Sequence, residues 1–347
     1  MSETNASEVW TVKRALDWVE GYLHSKGDEH ARLSAQWLVG DVCDLSRMQL
    51  YVNLDRILSP AELSVLHVHV VRRASGEPLQ YITGEASFRH ITVKVAPGVL
   101  IPRPETEVLV SEALALLAPP PRPRVLDDRF IAQLAANADA VEEDDSEAYA
   151  QIKDAMLAAR AVANDAGGPA ELLVCDIGTG TGCIACSIAY EHAAAHVIAA
   201  DVSPEALALA RENVRALGLD ERVDVVESDV GAGIDPALLG SIDLVVSNPP
   251  YIPTAVLGEL SPEVSQFEPR LALDGGSDGL DVFRRLLEFS SIALKPGGGC
   301  AFELHETCLE EARELALRAG FADVRIVDDL AGKPRVLTAV KPSVRTA

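Results

Sequence analysis

From residue 171 onward the chain alternates short, β-rich apolar runs with stretches of helical periodicity, and this alternation limits the possible folds more than any other feature. The runs fall at 172–176, 196–201, 223–227, 242–247 and 300–304. The helical stretches between them are long enough to act as crossovers, so the runs predict βαβ units on a mostly parallel sheet. Two later runs, 324–327 and 336–340, are separated by a turn containing Gly332 that leaves no room for a crossover helix. They are expected to pair antiparallel at one edge. The fold class is therefore α/β.

The first run ends in Asp176-Ile177-Gly178-Thr179-Gly180-Thr181-Gly182, and a helical pattern begins at Cys183. Alternating glycines let the backbone approach a ligand closely, and the free N–H groups at the helix start favour its negative end. Such a turn suits a flavin, a nicotinamide or S-adenosylmethionine, and it also occurs as a plain tight turn. The spacing G-x-G-x-x-G is broken because residue 183 is Cys, which shifts weight away from a dinucleotide. Asp201 ends the second run, where an acid can accept from both ribose hydroxyls. The following Ser203-Pro204-Glu205 supplies its own helix cap and leaves Asp201 free to bind. Asp229-Val230 follows the third run, where the acid can accept from an adenine amino group or simply cap the loop.

Asn248-Pro249-Pro250-Tyr251 stands directly after the run at 242–247, at the sheet edge where open α/β folds bind ligands. A planar amide or aromatic amine is a poor nucleophile because its lone pair is delocalised. An enzyme must hold both hydrogens of the NH₂ group and aim the lone pair at an electrophile. The Asn248 side-chain oxygen can accept one hydrogen and the Pro249 carbonyl the other. Proline fixes φ and presents that carbonyl rigidly, and Tyr251 can stack on the flat group. Cys183-x-x-Cys186 lacks a second ligand pair, and His67-x-His69 does not share a helix face, so no metal site is expected.

Upstream, helical spacing across 9–75 predicts a small helical domain, with a helix starting at Ser59-Pro60-Ala61-Glu62. Residues 87–100 shift towards alternation and predict a hairpin, and 105–118 returns to helical spacing before Pro119-Pro120-Pro121. The division reads as a helical domain at 1–85, a hairpin linker and connecting helix at 86–118, an acidic Ala-rich insertion at 119–170 and the ligand-binding domain at 171–347. Within the insertion, Glu142-Glu143-Asp144-Asp145 precedes a predicted helix at 146–163, and few large apolar residues occur. The 30 Lys and Arg against 53 Asp and Glu leave a net charge of −23, which argues against a bare nucleic-acid partner. No segment has the uninterrupted apolar length of a membrane span. The amino terminus lacks a secretory pattern, and six scattered cysteines fit a reducing cytoplasm.

Gly178 to Gly182, Asp201, Asp229 and the Asn-Pro-Pro-Tyr motif resemble class I S-adenosylmethionine-dependent methyltransferases that modify planar NH₂ groups. That superfamily includes DNA adenine methyltransferases and protein glutamine methyltransferases. Outside the glycine-loop region, Glu77-Pro78-Leu79-Gln80-Tyr81-Ile82-Thr83-Gly84, Phe88 and Leu100-Ile101-Pro102-Arg103-Pro104-Glu105-Thr106-Glu107 resemble the peptide chain release factor N5-glutamine methyltransferase family, also called HemK or PrmC. Phe267-Glu268-Pro269-Arg270, Leu273, Gly279 and the stretch 333–337 continue the likeness, and the insertion departs from it. The resemblance implies a Rossmann-like methyltransferase sheet, S-adenosylmethionine as cofactor and release factors carrying a Gly-Gly-Gln loop as partners. It implies Gly178, Thr179, Gly180, Thr181, Gly182, Asp201, Asp229, Val230 and Asn248 around the cofactor. Asn248, Pro249 and Tyr251 are the expected catalytic residues. Those three with Pro250, Phe88, Arg103 and Glu105 are expected to meet the substrate, with the helical domain as docking surface. A ribosomal-protein glutamine, an adenine in nucleic acid and a non-catalytic cofactor-binding scaffold are the alternatives.

Overall fold

A computed structural model describes residues 9–118 and 171–343; the acidic cluster and the helix expected at 146–163 lie outside the described residues. Five helices come first: α1 (Val12–Ser25), α2 (Ala31–Cys43), α3 (Arg47–Val52), α4 (Pro60–Ala74) and α5 (Leu79–Thr83). Helix α4 begins as the sequence predicts, with Pro60 in its first turn and a capping box in which Ser59 and Glu62 satisfy each other's backbone N–H groups. Val12, Val19, Leu23, Leu38, Leu50 and Leu66 recur on inward faces and form a separate apolar cluster.

A hairpin of β1 (Glu85–Phe88) and β2 (Ile91–Lys94) follows, reversing at Arg89-His90. Its alternation buries Ala86, Phe88, Ile91 and Val93. Phe88 was expected on the docking surface, and the structure corrects this. Its side chain is 1 % exposed inside the main core, so it offers no face to a partner. Arg89 takes a left-handed φ of 51° at the reversal and reaches the Glu191 carboxylate with two hydrogen bonds of 2.6 and 2.7 Å. Helix α6 (Thr106–Leu116) leads to the sheet.

The remaining elements are β3 (Leu172–Ile177), α7 (Cys183–Glu191), β4 (Ala195–Asp201), α8 (Pro204–Ala216), β5 (Val223–Glu227), β6 (Ile242–Ser247), α9 (Pro262–Phe267), α10 (Asp281–Ala293), β7 (Leu294–Glu303), α11 (Leu309–Arg318), β8 (Ala322–Asp328) and β9 (Pro334–Val340). The sheet order is β5-β4-β3-β6-β7-β9-β8. Strands β5 to β7 pair in parallel, while β9 pairs antiparallel with both β7 and β8, as the short Gly332 connection requires. Successive residues of the central strands enter opposite clusters: Val174, Val197 and Leu244 face the hairpin, α6 and α7, whereas Cys175, Ile198 and Val245 face α10 and α11. Both faces of the sheet are covered, which explains the near-continuous apolar runs. The order reverses at β3, whose neighbours are β4 on one side and β6 on the other.

Arg73 of α4 joins Asp28 and, at 2.9 Å, Glu263 of α9, so the helical cluster is fastened to the segment that follows the Asn-Pro-Pro-Tyr motif. At the far end of the sheet, His192 reaches the Ala118 carbonyl at 2.9 Å.

Phe88→Ala is expected to lower the free energy of unfolding by about 3–5 kcal/mol, read from urea denaturation, because it leaves a large cavity. A cost of about 0.5 kcal/mol or less would mean that the ring is at the surface after all.

Candidate active site

The site assembles at the carboxyl ends of β3, β4, β5 and β6. Gly178, Gly180 and Gly182 all have left-handed φ values of 73°, 57° and 81°, a sequence of conformations that side chains rarely adopt. The amides of Gly178 and Thr179 bond the Ala200 carbonyl at 2.8 and 2.9 Å, which ties the loop to β4. Beneath the loop, one oxygen of the fully buried Asp176 accepts from the Thr179 hydroxyl at 2.6 Å and from the Ala185 amide at 3.1 Å. Burial pushes the Asp176 carboxyl up to about 7, with the nearby Asp201 charge adding to the shift and both hydrogen bonds opposing it.

Asp201 is not free in the sense the sequence suggests. Its two oxygens accept from the amides of Gly180 and Ser203, each at 2.9 Å, so it organises the glycine loop while lining the cavity. Each oxygen retains a lone pair for a further donor. Gly182 faces away from the cavity, because a Cβ there would stand 3.3 Å from that of Ala210 on α8. Asp229 and Val230 line the cavity beyond β5; Asp229 pairs with Arg285 of α10 at 2.8 Å, and Val230 holds an unusual φ of 55°. Arg285 gave no sequence signal, because its partner comes from a distant element.

The cavity encloses about 500 Å³, and Asn248, Pro249 and Pro250 form one wall. The Asn248 side-chain amide donates through Nδ2 to Thr106 Oγ1 at 3.1 Å. Thr106 opens α6 and is 3 % exposed; its hydroxyl also meets Glu303, which ends β7 and is 1 % exposed. Tyr251 donates through its hydroxyl to Glu303 Oε1 at 3.4 Å and is half-buried beside the cavity rather than in its wall. Gly275 makes room for this arrangement: a Cβ there would lie 2.7 Å from Tyr251 Cα. Glu303 is buried below the motif.

Arg103 also lines the cavity and bonds Glu268 at 2.6 Å. Glu268 is nearly inaccessible, and burial raises its carboxyl above the ordinary range despite the guanidinium. Glu105 is exposed outside the cavity at the start of α6. The Cys183 thiol is buried and pushed up to about 12, which leaves it inert, and no cluster of metal-ligating side chains occurs among the described residues.

Comparison with known proteins gives concordant results. The family model described as PrmC N-terminal domain matches residues 14–84, and that described as methyltransferase small domain matches 158–257. The release factor glutamine methyltransferase of Geobacter sulfurreducens is 39 % identical over 96 % of this chain and 98 % of its own length. The chain belongs to the release factor glutamine methyltransferase family. Proteins of the same name from Moorella thermoacetica and Chlorobaculum tepidum are each 36 % identical, over 95 % and 93 % of this chain and 99 % and 94 % of their own lengths.

Family membership makes the chain an S-adenosylmethionine-dependent methyltransferase, and the residues present fit that cofactor. The cradle at Gly178 and Gly180 leaves open space, acids stand at the ends of β4 and β5, and the second oxygen of the buried Asp176 has no hydrogen-bond partner.

Asp176 also sets a pH dependence. Its folded-state pKa lies above the ordinary unfolded value, so the folded state binds the extra proton and stability falls as pH rises from about 4 to 7. Asp176→Asn removes this proton. The stability difference between variant and wild type, measured by urea unfolding without cofactor, is expected to move in the variant's favour across that interval and level off above it. A constant difference from pH 4 to 8 would place the ionised acid in the core.

Proposed function

We propose that the protein transfers a methyl group from S-adenosylmethionine to the side-chain amide nitrogen of the glutamine in the Gly-Gly-Gln loop of peptide chain release factors. The observation that carries this reading is the placement of Asn248 and Pro249 in the wall of the glycine-loop cavity, in a chain matched nearly end to end by relatives named for that activity. The match also favours a cytoplasmic setting. Among the described residues no helix is long and apolar enough to cross a membrane.

S-adenosylmethionine, when bound, supplies an electrophilic methyl group on a sulfonium. The chain supplies the rest. Asn248 Oδ1 and the Pro249 carbonyl hold the two hydrogens of the acceptor amide and aim its nitrogen, which turns a weak nucleophile into a well-oriented one. These hydrogen bonds strengthen as positive charge develops on nitrogen, so they stabilise the transition state more than the ground state. The alkylated nitrogen is strongly acidic and gives its proton to solvent, so no general base is assigned. Tyr251 flanks the acceptor from the second row, with its hydroxyl tied to Glu303. Asp201 and Asp229 serve the ribose hydroxyls and adenine amino group, and Asp201 does so while holding the amide of Gly180.

The region spanned by α1 to α5, together with the Arg103-Pro104-Glu105 turn, forms the docking side. The Arg73–Glu263 pair fixes it beside the motif's downstream segment. Two glycines preceding the target let a loop enter the narrow cavity where bulkier neighbours would not follow. The net charge of −23 favours a partner with basic surface over bare nucleic acid, which shares the acceptor chemistry of the adenine alternative.

With labelled cofactor, intact release factor is expected to be methylated on that glutamine, more slowly as salt is added, while DNA is not. Mass spectrometry placing the methyl group elsewhere overturns the reading. Asn248→Ala is expected to cut turnover about a hundredfold or more while calorimetric cofactor affinity stays within a few-fold. Asp201→Ala should instead weaken cofactor affinity by about tenfold or more, because a charged hydrogen-bond acceptor is lost.

A further inference from the structure

We infer that Thr106 and Glu303 are positioning residues that fix which way the Asn248 amide faces. The inference rests on the reading that Asn248 holds the acceptor nitrogen. A primary amide presents a carbonyl oxygen on one side and an NH₂ group on the other, and a half-turn about its last bond exchanges them. With the NH₂ group towards the cavity, Asn248 would oppose two like donors on the acceptor, and the acceptor would be repelled rather than held. Something must therefore select one orientation.

The structure supplies the selection as a chain of three side chains from three elements. The parallel pairing of β6 and β7 sets Ser247 opposite Phe302, so the residues that follow, Asn248 and Glu303, leave adjacent strands side by side. Thr106, at the start of α6, sits between them. A hydroxyl has one hydrogen and two lone pairs. Glu303 stands against this hydroxyl with Oε2 still lacking a donor, so the hydrogen is drawn to the acid and a lone pair is left for the Asn248 side. That lone pair accepts from Asn248 Nδ2 at 3.1 Å, which turns Oδ1 the other way. Were the hydroxyl hydrogen to point at Asn248, it would demand Oδ1 and reverse the amide.

Glu303 has no evident packing reason to be an acid. It is 1 % exposed, Oε2 has no partner, and Oε1 meets the Tyr251 hydroxyl at 3.4 Å. The charged groups that bear on it are Arg335 of β9, which also pairs with Asp329 at 3.5 Å, and Glu105, which opposes its ionisation. An apolar side chain of similar volume would fill the position at lower cost. Retaining a buried acid there is accounted for by the hydroxyl it orients and, through it, by the amide.

The test uses the full-length protein, intact release factor and labelled cofactor. Thr106→Val, nearly the same shape without the hydroxyl, is expected to lower kcat about tenfold or more with cofactor affinity and melting temperature near wild type. Thr106→Ser restores the hydroxyl and should bring kcat back to within about threefold of wild type. Glu303→Met should lower kcat as well, and the double variant Thr106→Val/Glu303→Met should be no slower than Thr106→Val within about twofold, because the acid acts through the hydroxyl. Fully multiplicative losses, failure of serine to restore turnover, or a Thr106→Val defect that appears equally in cofactor affinity overturns the inference. Asn248→Ala measured alongside separates the two levels. If it is inactive while Thr106→Val turns over normally, only the positioning chain fails; if Asn248→Ala itself turns over normally, the reading of the site fails.

Discussion

The parallel hydrogen bonding of β3 between β4 and β6 is the constraint on which the rest depends. It places the carboxyl ends of neighbouring strands abreast on one edge, and the chain reverses direction along the sheet at β3, so loops from the two halves part and leave a crevice. The glycine loop enters that crevice from β3, Asp201 from β4 and the Asn-Pro-Pro-Tyr turn from β6. None of these segments is near the others in sequence. Their common edge follows from backbone pairing, and side-chain chemistry is then laid upon it.

Buried acids hold the loops in place once the edge exists. Asp176 ties β3 to the glycine loop and the first turn of α7; Glu268 ties the segment after α9 to Arg103; Glu303 lies against Thr106 and Tyr251. Each carboxyl is driven above its ordinary range chiefly by desolvation. Such groups weaken the core they occupy and in return give each loop a directional contact, which apolar packing alone does not provide. The site is thus rigid where it must orient a ligand, at a cost borne beneath it.

Much of this was legible in the sequence. Period and spacing identified the strands, their alternation with helices and the antiparallel edge, because β3, β4, β6 and β7 are buried on both faces and the Gly332 turn is too short to cross over. The glycine loop and the Asn-Pro-Pro-Tyr turn were legible because each compresses its chemistry into a few adjacent residues. Phe88 was misread because an aromatic residue in an alternating hairpin does not say which face is inward, and its partners on α6 and α7 lie far along the chain. Thr106 and Glu268 stood inside stretches that carry the family resemblance but had no role attached to them, and Glu303 and Arg285 carried no local signal. Thr106 and Asn248 are 142 residues apart, and Arg103 and Glu268 are 165 apart, so only the folded chain reveals those pairs.

The chain leaves α6 at Ala118, held by His192, and re-enters the sheet at the amino end of β3. β3 has six residues, so the junction and the glycine loop are separated by roughly 20 Å of central strand. The two edges of the sheet are therefore under different geometric constraints. At the carboxyl edge a single added residue would put a reactive group out of register, while at the amino edge the connection can lengthen by tens of residues without altering a single hydrogen bond around Asn248. That junction is therefore the natural place for an engineered tag or reporter.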